Sequence, residues 1–153
     1  MNTISRRQLL ATFSVALFAS SRIRGQQPPK VEIYKDPTCG CCGQWVVHLQ
    51  RAGFATAVTD VASIESVKIK NHVPPRLQSC HTALVGGYVI EGHVPATEIQ
   101  RLLRERPKVV GLAVPGMPTG SPGMEGANGK PYDVVSFDAA GKASVYSTQK
   151  PLL

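Results

Sequence analysis

Acidic side chains are scarce in this chain, with 10 Asp and Glu against 17 Lys and Arg, and aromatic residues make up only 6% of the 153 positions. A net charge of +7 would suit a nucleic-acid partner if the cations were gathered on one face and interleaved with rings. Neither condition is met. Arg6, Arg7, Arg22 and Arg24 fall within the first 25 residues, and from Gln26 onward 13 basic residues face 10 acidic ones. The charge therefore gives no reason to expect nucleic acid. There is no uncharged apolar run of about 20 residues, the length a membrane-spanning helix needs. The longest such stretch, residues 9–19, is soon followed by Arg22 and Arg24. A second C-x-x-C pair is missing as well, and with it the paired spacing of a four-ligand structural zinc site. No segment repeats at solenoid periods.

What is present suffices for a fold. Hydrophobic residues at 42% can bury a core, and the length fits one compact domain. Residues 1–25 read as an export signal: SRRQLL (residues 5–10) resembles a twin-arginine motif, an apolar stretch follows, and Ala19-Ser20-Ser21 offers a small-x-small cleavage site. The expectation is a periplasmic or otherwise exported protein with no membrane span after cleavage. Residues 26–30 then form a linker.

From residue 31 onward, strand and helix patterns alternate. VEIY (residues 31–34) is a β-like run closed by the Asp36-Pro37-Thr38 turn. Trp45, Leu49 and Ala52 recur at helical spacing, with Thr38 placed to cap the start and Gly53 to take the left-handed position after the end. Residues 54–61 predict a second strand, and residues 63–70 a short helix with Ile64 and Val67 inward. Residues 82–85 and 88–91 flank Gly86-Gly87, the signal of a two-residue hairpin. Residues 95–106 predict a helix with Ile99, Leu102 and Leu103 as its apolar stripe. This order over residues 31–106 is that of a thioredoxin-like (glutaredoxin-like) α/β core. Residues 107–153 read as a C-terminal extension, with a Gly/Pro/Met loop over residues 111–129 and a second β-hairpin built from residues 134–137 and 143–146.

Three of the four cysteines fall in Cys39-Gly40-Cys41-Cys42, at the predicted start of the first helix. Neither Cys41 with Cys42 nor Cys39 with Cys41 readily meets unstrained disulfide geometry, whereas Cys39 and Cys42 have the C-x-x-C spacing of a redox pair. Cys80 precedes the third strand, on the loop that faces the cysteine turn in such a core. Thiolates at a helix N-terminus are favoured by the partial positive charge there, and they are soft ligands for copper(I), zinc or iron–sulfur clusters. Met117 and Met124, the only methionines besides Met1, lie among Gly and Pro. They are either thioether donors or loop residues folded back onto the protein. Thioether, thiolate and imidazole together make a copper set.

YKDPTCGCCGQW (residues 34–45), SCHTALVGGYVIEGHV (residues 79–94) and GLAVPGMPTGSPGME (residues 111–125) resemble, in residue type and order, the family of periplasmic metal-binding proteins that includes the CopG copper-resistance proteins. The resemblance implies a thioredoxin-like fold that holds copper through Cys39, Cys41 and Cys42. Downstream Cys, His and Met side chains would assist, matched here by Cys80, His81, Met117 and Met124. It also implies interconversion of copper(I) and copper(II), with copper ions and other periplasmic copper-handling proteins as partners.

The other polar residues have plainer readings. His81 adjoins Cys80 and is a ligand or a support to one. His93 is placed either to cap the next helix or to bond a backbone carbonyl. His48 lies off the apolar stripe and reads as an exposed surface residue, His72 as loop and Trp45 as core. Asp36 either tunes the charge of the cluster or merely makes an Asp-Pro turn. Two functions follow: copper binding, with redox at the metal, or thiol-disulfide exchange through Cys39 and Cys42. A dithiol enzyme gains nothing from Cys41, which invites wrong pairings, whereas a multinuclear thiolate site uses all three cysteines. Metal binding is the leading expectation.

Overall fold

The computed structural model describes residues 28–153, so the predicted export signal lies outside the described residues. The chain runs β1 (Lys30–Lys35), α1 (Gly40–Arg51), β2 (Ala55–Asp60), α2 (Ile64–Lys70), a 3-10 turn (Pro75–Leu77), β3 (His81–Val85), β4 (Tyr88–Glu91), α3 (Ala96–Glu105), β5 (Gly111–Ala113), β6 (Tyr132–Phe137) and β7 (Ala143–Gln149). All seven strands share one sheet in the order β2-β1-β3-β4-β5-β6-β7. The β1/β2 and β4/β5 pairs are parallel, each joined by a helix, and the remaining pairs are antiparallel. No helix among the described residues is long and apolar enough to cross a membrane.

The sheet buries both faces, and strand alternation decides which side chain goes where. Ile90 and Leu112 join Trp45 and Leu49 of α1 and Ile99 and Leu102 of α3 in the larger core. Their neighbours Val89 and Ala113 point the other way, to Val73, Leu77 and Phe137. Gly86 and Gly87, at φ of 56° and 91°, make the tight hairpin between β3 and β4 that the sequence predicts.

Three local expectations need correction. The cap of α1 is Cys39, not Thr38, because the Asp36 carboxylate accepts both the amide and the hydroxyl of Thr38 and holds that residue in the preceding turn. On α2 the buried residue is Lys68, with Ile64 and Val67 half-buried, because an acidic partner waits beneath the helix. The segment expected to be loop from residue 111 begins as β5, which pairs with β4 on one side and β6 on the other. Gly111 permits this approach, since a β-carbon there would fall 1.8 Å from the Val89 carbonyl oxygen. The second hairpin forms as expected, with longer strands and an irregularity at Val134/Val135. Its turn is held by Asp138, whose Oδ1 accepts the amides of Ala140 and Lys142, both at 2.9 Å.

Gly111 is thus the place where the C-terminal strands join the rest of the sheet. Gly111→Ala is expected to lower stability by about 3 kcal/mol, the upper range for forcing extra volume into packed structure. Urea-midpoint shifts at constant m-value would check this.

Candidate metal centre

Cys39 and Cys42 are joined as a disulfide across the start of α1. Cys41 lies between them in sequence with a free thiol, its Sγ 3.6 Å from Cys39 Sγ. Because Cys39 caps the helix without a side-chain hydrogen bond and no acid sits in the first turn, the positive end of α1 is left for sulfur. Cys80 completes the group: the Sγ atoms of Cys39, Cys41, Cys42 and Cys80 all lie within 4.8 Å of one another.

Cys80 also belongs to a second group. Its Sγ is 3.3 Å from His81 Nδ1 and 3.1 Å from His93 Nε2, so one cysteine sulfur is common to a four-sulfur set and a Cys-His-His set. The β3–β4 hairpin builds this arrangement. Outward from the turn Val85 pairs with Tyr88 and Thr82 with Glu91, and Gly92 N donates to the His81 carbonyl at 3.0 Å. Continued by one step, the pairing sets Cys80 opposite His93. Strict alternation would put residues 91 and 93 on one face. Gly92, at φ +70°, breaks it, and the His93 ring centroid lies 5.4 Å from that of His81. A β-carbon at Gly92 would come within 2.6 Å of the Ser79 side chain, so glycine is required there on two counts.

The Gly/Pro/Met loop closes over this end of the sheet. Met117 is 52% exposed, yet its Sδ lies 3.9 Å from Cys41 Sγ. Ser121 Oγ lies 3.4 Å from His93 Nδ1, and the Ser79 hydroxyl donates to the Gly116 carbonyl. Gly123 rests against the first turn of α1, where a β-carbon would be 2.9 Å from both Cys41 O and Trp45 N. Of the two methionines expected to act together, only Met117 has a sulfur contact with the cluster among the described residues. Met124 is half-buried and closes the loop through its backbone.

Trp45 is core, as expected, and its indole both donates to Val94 O at 2.9 Å and packs on His81, centroid to centroid 4.3 Å. His48 is not the exposed residue expected. It is half-buried and its Nε2 accepts the Ala96 amide at 3.0 Å, capping α3 in place of a polar residue at Pro95. His93 does not cap the next helix; it is fully buried against Cys80, with the Pro122 backbone as a further hydrogen-bond partner, the second of its two expected roles. The missed signal was the two-residue Gly86-Gly87 turn, whose register already sets residues 80 and 93 opposite each other. Asp36 stays in the ordinary Asp-Pro turn, its carboxyl held low first by the Thr38 side chain and then by the Thr38 amide. His72 is loop, at φ 55°.

Burial, reinforced by the neighbouring Cys41, pushes the Cys80 thiol up to about 12, so without a metal it is a thiol and not a thiolate. Burial likewise holds His48, His81 and His93 below the ordinary imidazole value, His81 well below it. The buried His81 Nε2 has no hydrogen-bond partner, although Nδ1 faces Cys80. A neutral imidazole, two free thiols, a reducible cystine and a nearby thioether form a donor set that fits a soft metal ion, and the orphaned His81 nitrogen fits it too. A groove of about 700 Å³ among the described residues, lined by Lys30, Gln100, Arg104 and Arg106 among others, contains none of these residues.

The three neutral histidines imply a pH dependence. Each binds fewer protons folded than unfolded, so stability is level above the unfolded value of about 6.5 and falls as pH drops through it. Urea midpoints of the metal-free chain are expected to decline from about pH 6.5 downward. The slope should be at most about 1.4 kcal/mol per pH unit for each of His81 and His93, and less for half-buried His48. Level midpoints over that range would mean that these imidazoles protonate within the fold.

Residues 77–124 match a family model described as "Protein of unknown function, DUF411". Two solved structures, copper resistance protein CopG in form 1 and in form 2, are each 43% identical to this chain with a TM-score of 0.76, and each match covers 80% of this chain and 98% of the other. No curated protein sequence matches the chain.

Proposed function

This chain belongs to the family of the copper resistance protein CopG, and from that membership together with the sulfur cluster we propose that it is an exported copper-binding protein of copper homeostasis or resistance. The observation that carries the proposal is the placement of Cys80 Sγ in both ligand groups. Such a bridging sulfur suits more than one copper ion, and thiolate with imidazole and thioether selects copper over zinc. In this reading Cys39, Cys41, Cys42, Cys80 and His81 hold copper, with His93 added to the expected set and Met117 at the open side. Copper would be cargo, met outside the cytoplasm after export by the twin-arginine route. The fold is read as a thioredoxin-like core over residues 31–106, supported by the β2-β1-β3-β4 order with α1 between the two parallel strands. Residues 107–153 extend that core and supply the loop at the metal centre.

The Cys39–Cys42 disulfide gives this function a redox form. While it is closed, those two sulfurs are not thiolate ligands. Opening it takes up two electrons and two protons and releases two thiols. Closing it returns two electrons, enough to convert two copper(II) ions to copper(I). The same disulfide favours a second reading, thiol-disulfide exchange on another protein, because Cys39 is the partly exposed sulfur at a helix N-terminus and Cys42 the fully buried one. Cys41 separates the two readings. Cys41→Ser is expected to lower copper loading of the reduced chain. If it leaves loading intact while Cys39→Ser and Cys42→Ser each abolish dithiol reduction of a protein disulfide, exchange is the function.

Metal preference provides a further test. The reduced chain, competed between copper(I) and zinc at defined free concentrations, is expected to take copper(I); zinc winning at comparable free metal would remove the copper reading. Met117→Leu keeps volume and apolarity while removing the sulfur. It is expected to weaken copper(I) binding about tenfold, a loss of about 1.4 kcal/mol, measured by chelator competition. Met124→Leu shows whether the second thioether contributes after the loop rearranges around metal.

A further inference from the structure

Beneath the sulfur cluster, and outside both ligand groups, the core holds an ion pair. Lys68 on α2 is 2% exposed, and Glu91 at the end of β4 and Thr82 on β3 are fully buried. The Lys68 ammonium donates to Glu91 Oε1 and, at 3.2 Å, to Thr82 Oγ1; the Thr82 hydroxyl in turn donates to Glu91 Oε2 at 2.7 Å. A third donor reaches the same carboxylate: the amide of Ser79, 2.7 Å from Oε1. A buried ion pair is a weak source of stability, since desolvation offsets its attraction and a well-packed apolar pair does as well or better.

The Ser79 amide suggests what else the pair does. Ser79 precedes Cys80, and Thr82–Glu91 is the last cross-strand pair before the segments that carry Cys80, His81 and His93. Glu91 therefore grips the backbone one residue from the shared sulfur, through a charge-assisted bond of the stronger kind. Lys68 and Thr82 fix the carboxylate that does so. Across the loop, the Ser79 hydroxyl is tied to Gly116, so the residue is held from both sides.

We propose that Lys68, Thr82 and Glu91 form a buried clamp that positions Cys80, setting its sulfur within reach of both imidazoles and of the C-x-C-C group. The consequence for copper rests on the function proposed above; the geometric effect on Cys80 does not, and it can be read without metal.

The decisive comparison uses two double variants that differ in one acceptor. Lys68→Met with Glu91→Gln removes both charges but keeps a side-chain oxygen for the Ser79 amide, whereas Lys68→Met with Glu91→Leu removes that oxygen at similar volume. In a Cys41→Ser background with the Cys39–Cys42 disulfide intact, Cys80 is the one free thiol, and its alkylation by N-ethylmaleimide reports how firmly it is held. The Leu form is expected to raise that rate about tenfold and the Gln form about threefold, since the Gln form keeps the acceptor for the loop amide but loses the lysine that fixes it. With all cysteines present and reduced, the Leu form is expected to weaken copper(I) binding about tenfold, an effect that disappears in a Cys80→Ser background. A parental alkylation rate in the folded Leu form overturns the clamp even if copper binding is normal. A parent chain that binds no copper while the alkylation effect stands removes the copper function and leaves the clamp. If the Leu form does not fold, Thr82→Val loosens the same carboxylate, and an unchanged Cys80 rate there overturns the proposal equally.

Discussion

The backbone pairing of β3 with β4 is the constraint on which the candidate metal centre depends. Two glycines at positive φ make a turn of two residues, and such a turn leaves no freedom of register. Thr82 then faces Glu91, and the strand ends bring Cys80 to His93. A slip of one residue would carry His81 and Ala83 from the α1 side of the sheet to the α2 side and would take Cys80 out of register with His93. Gly92 makes the single exception to alternation, turning His93 toward His81.

Around that hairpin the sulfurs occupy two electrostatic settings. Cys39, Cys41 and Cys42 sit at the start of α1, where no side chain caps the first amides, Cys39 and Cys42 as a disulfide and Cys41 as a free thiol. Cys80 is held as a thiol by burial. Metal binding there must displace a proton, so uptake by this group is linked to proton release. The neighbouring imidazoles are held neutral for the same reason that the thiol is protonated: burial of each group disfavours its charged form. A metal ion would supply the charge that the donors around it lack.

The extension after residue 107 is an integral part of this arrangement. β5 inserts between β4 and β6, and the loop that leaves it passes Met117 over Cys41, ties Gly116 to Ser79 and lays Gly123 on α1. The C-terminal hairpin lengthens the sheet on the side away from β2 and thereby anchors both ends of a loop with little hydrophobic burial of its own. Gly116, Gly120 and Gly123 all take positive φ, which allows the chain to turn repeatedly within a few residues.

Much of this was legible in the amino-acid order. Periodicity revealed the helices, since Trp45, Leu49, Ile99 and Leu102 bury in the face their spacing implies. Turn chemistry revealed both hairpins, and the spacing of Cys39, Cys41 and Cys42 marked the cluster that Cys80 completes. The sequence did not reveal contacts that depend on two distant segments meeting. On α2 the sequence pointed to Ile64 and Val67 as the inward residues, whereas Lys68 is the one buried, against Glu91. His48 looked exposed and became the cap of α3, and His93 became a neighbour of Cys80 through a glycine that breaks strand alternation. Local patterns report which face of an element is apolar. The partner of a buried polar group is chosen only when the sheet closes, because the cost of burial is met by a specific donor or acceptor from elsewhere in the chain.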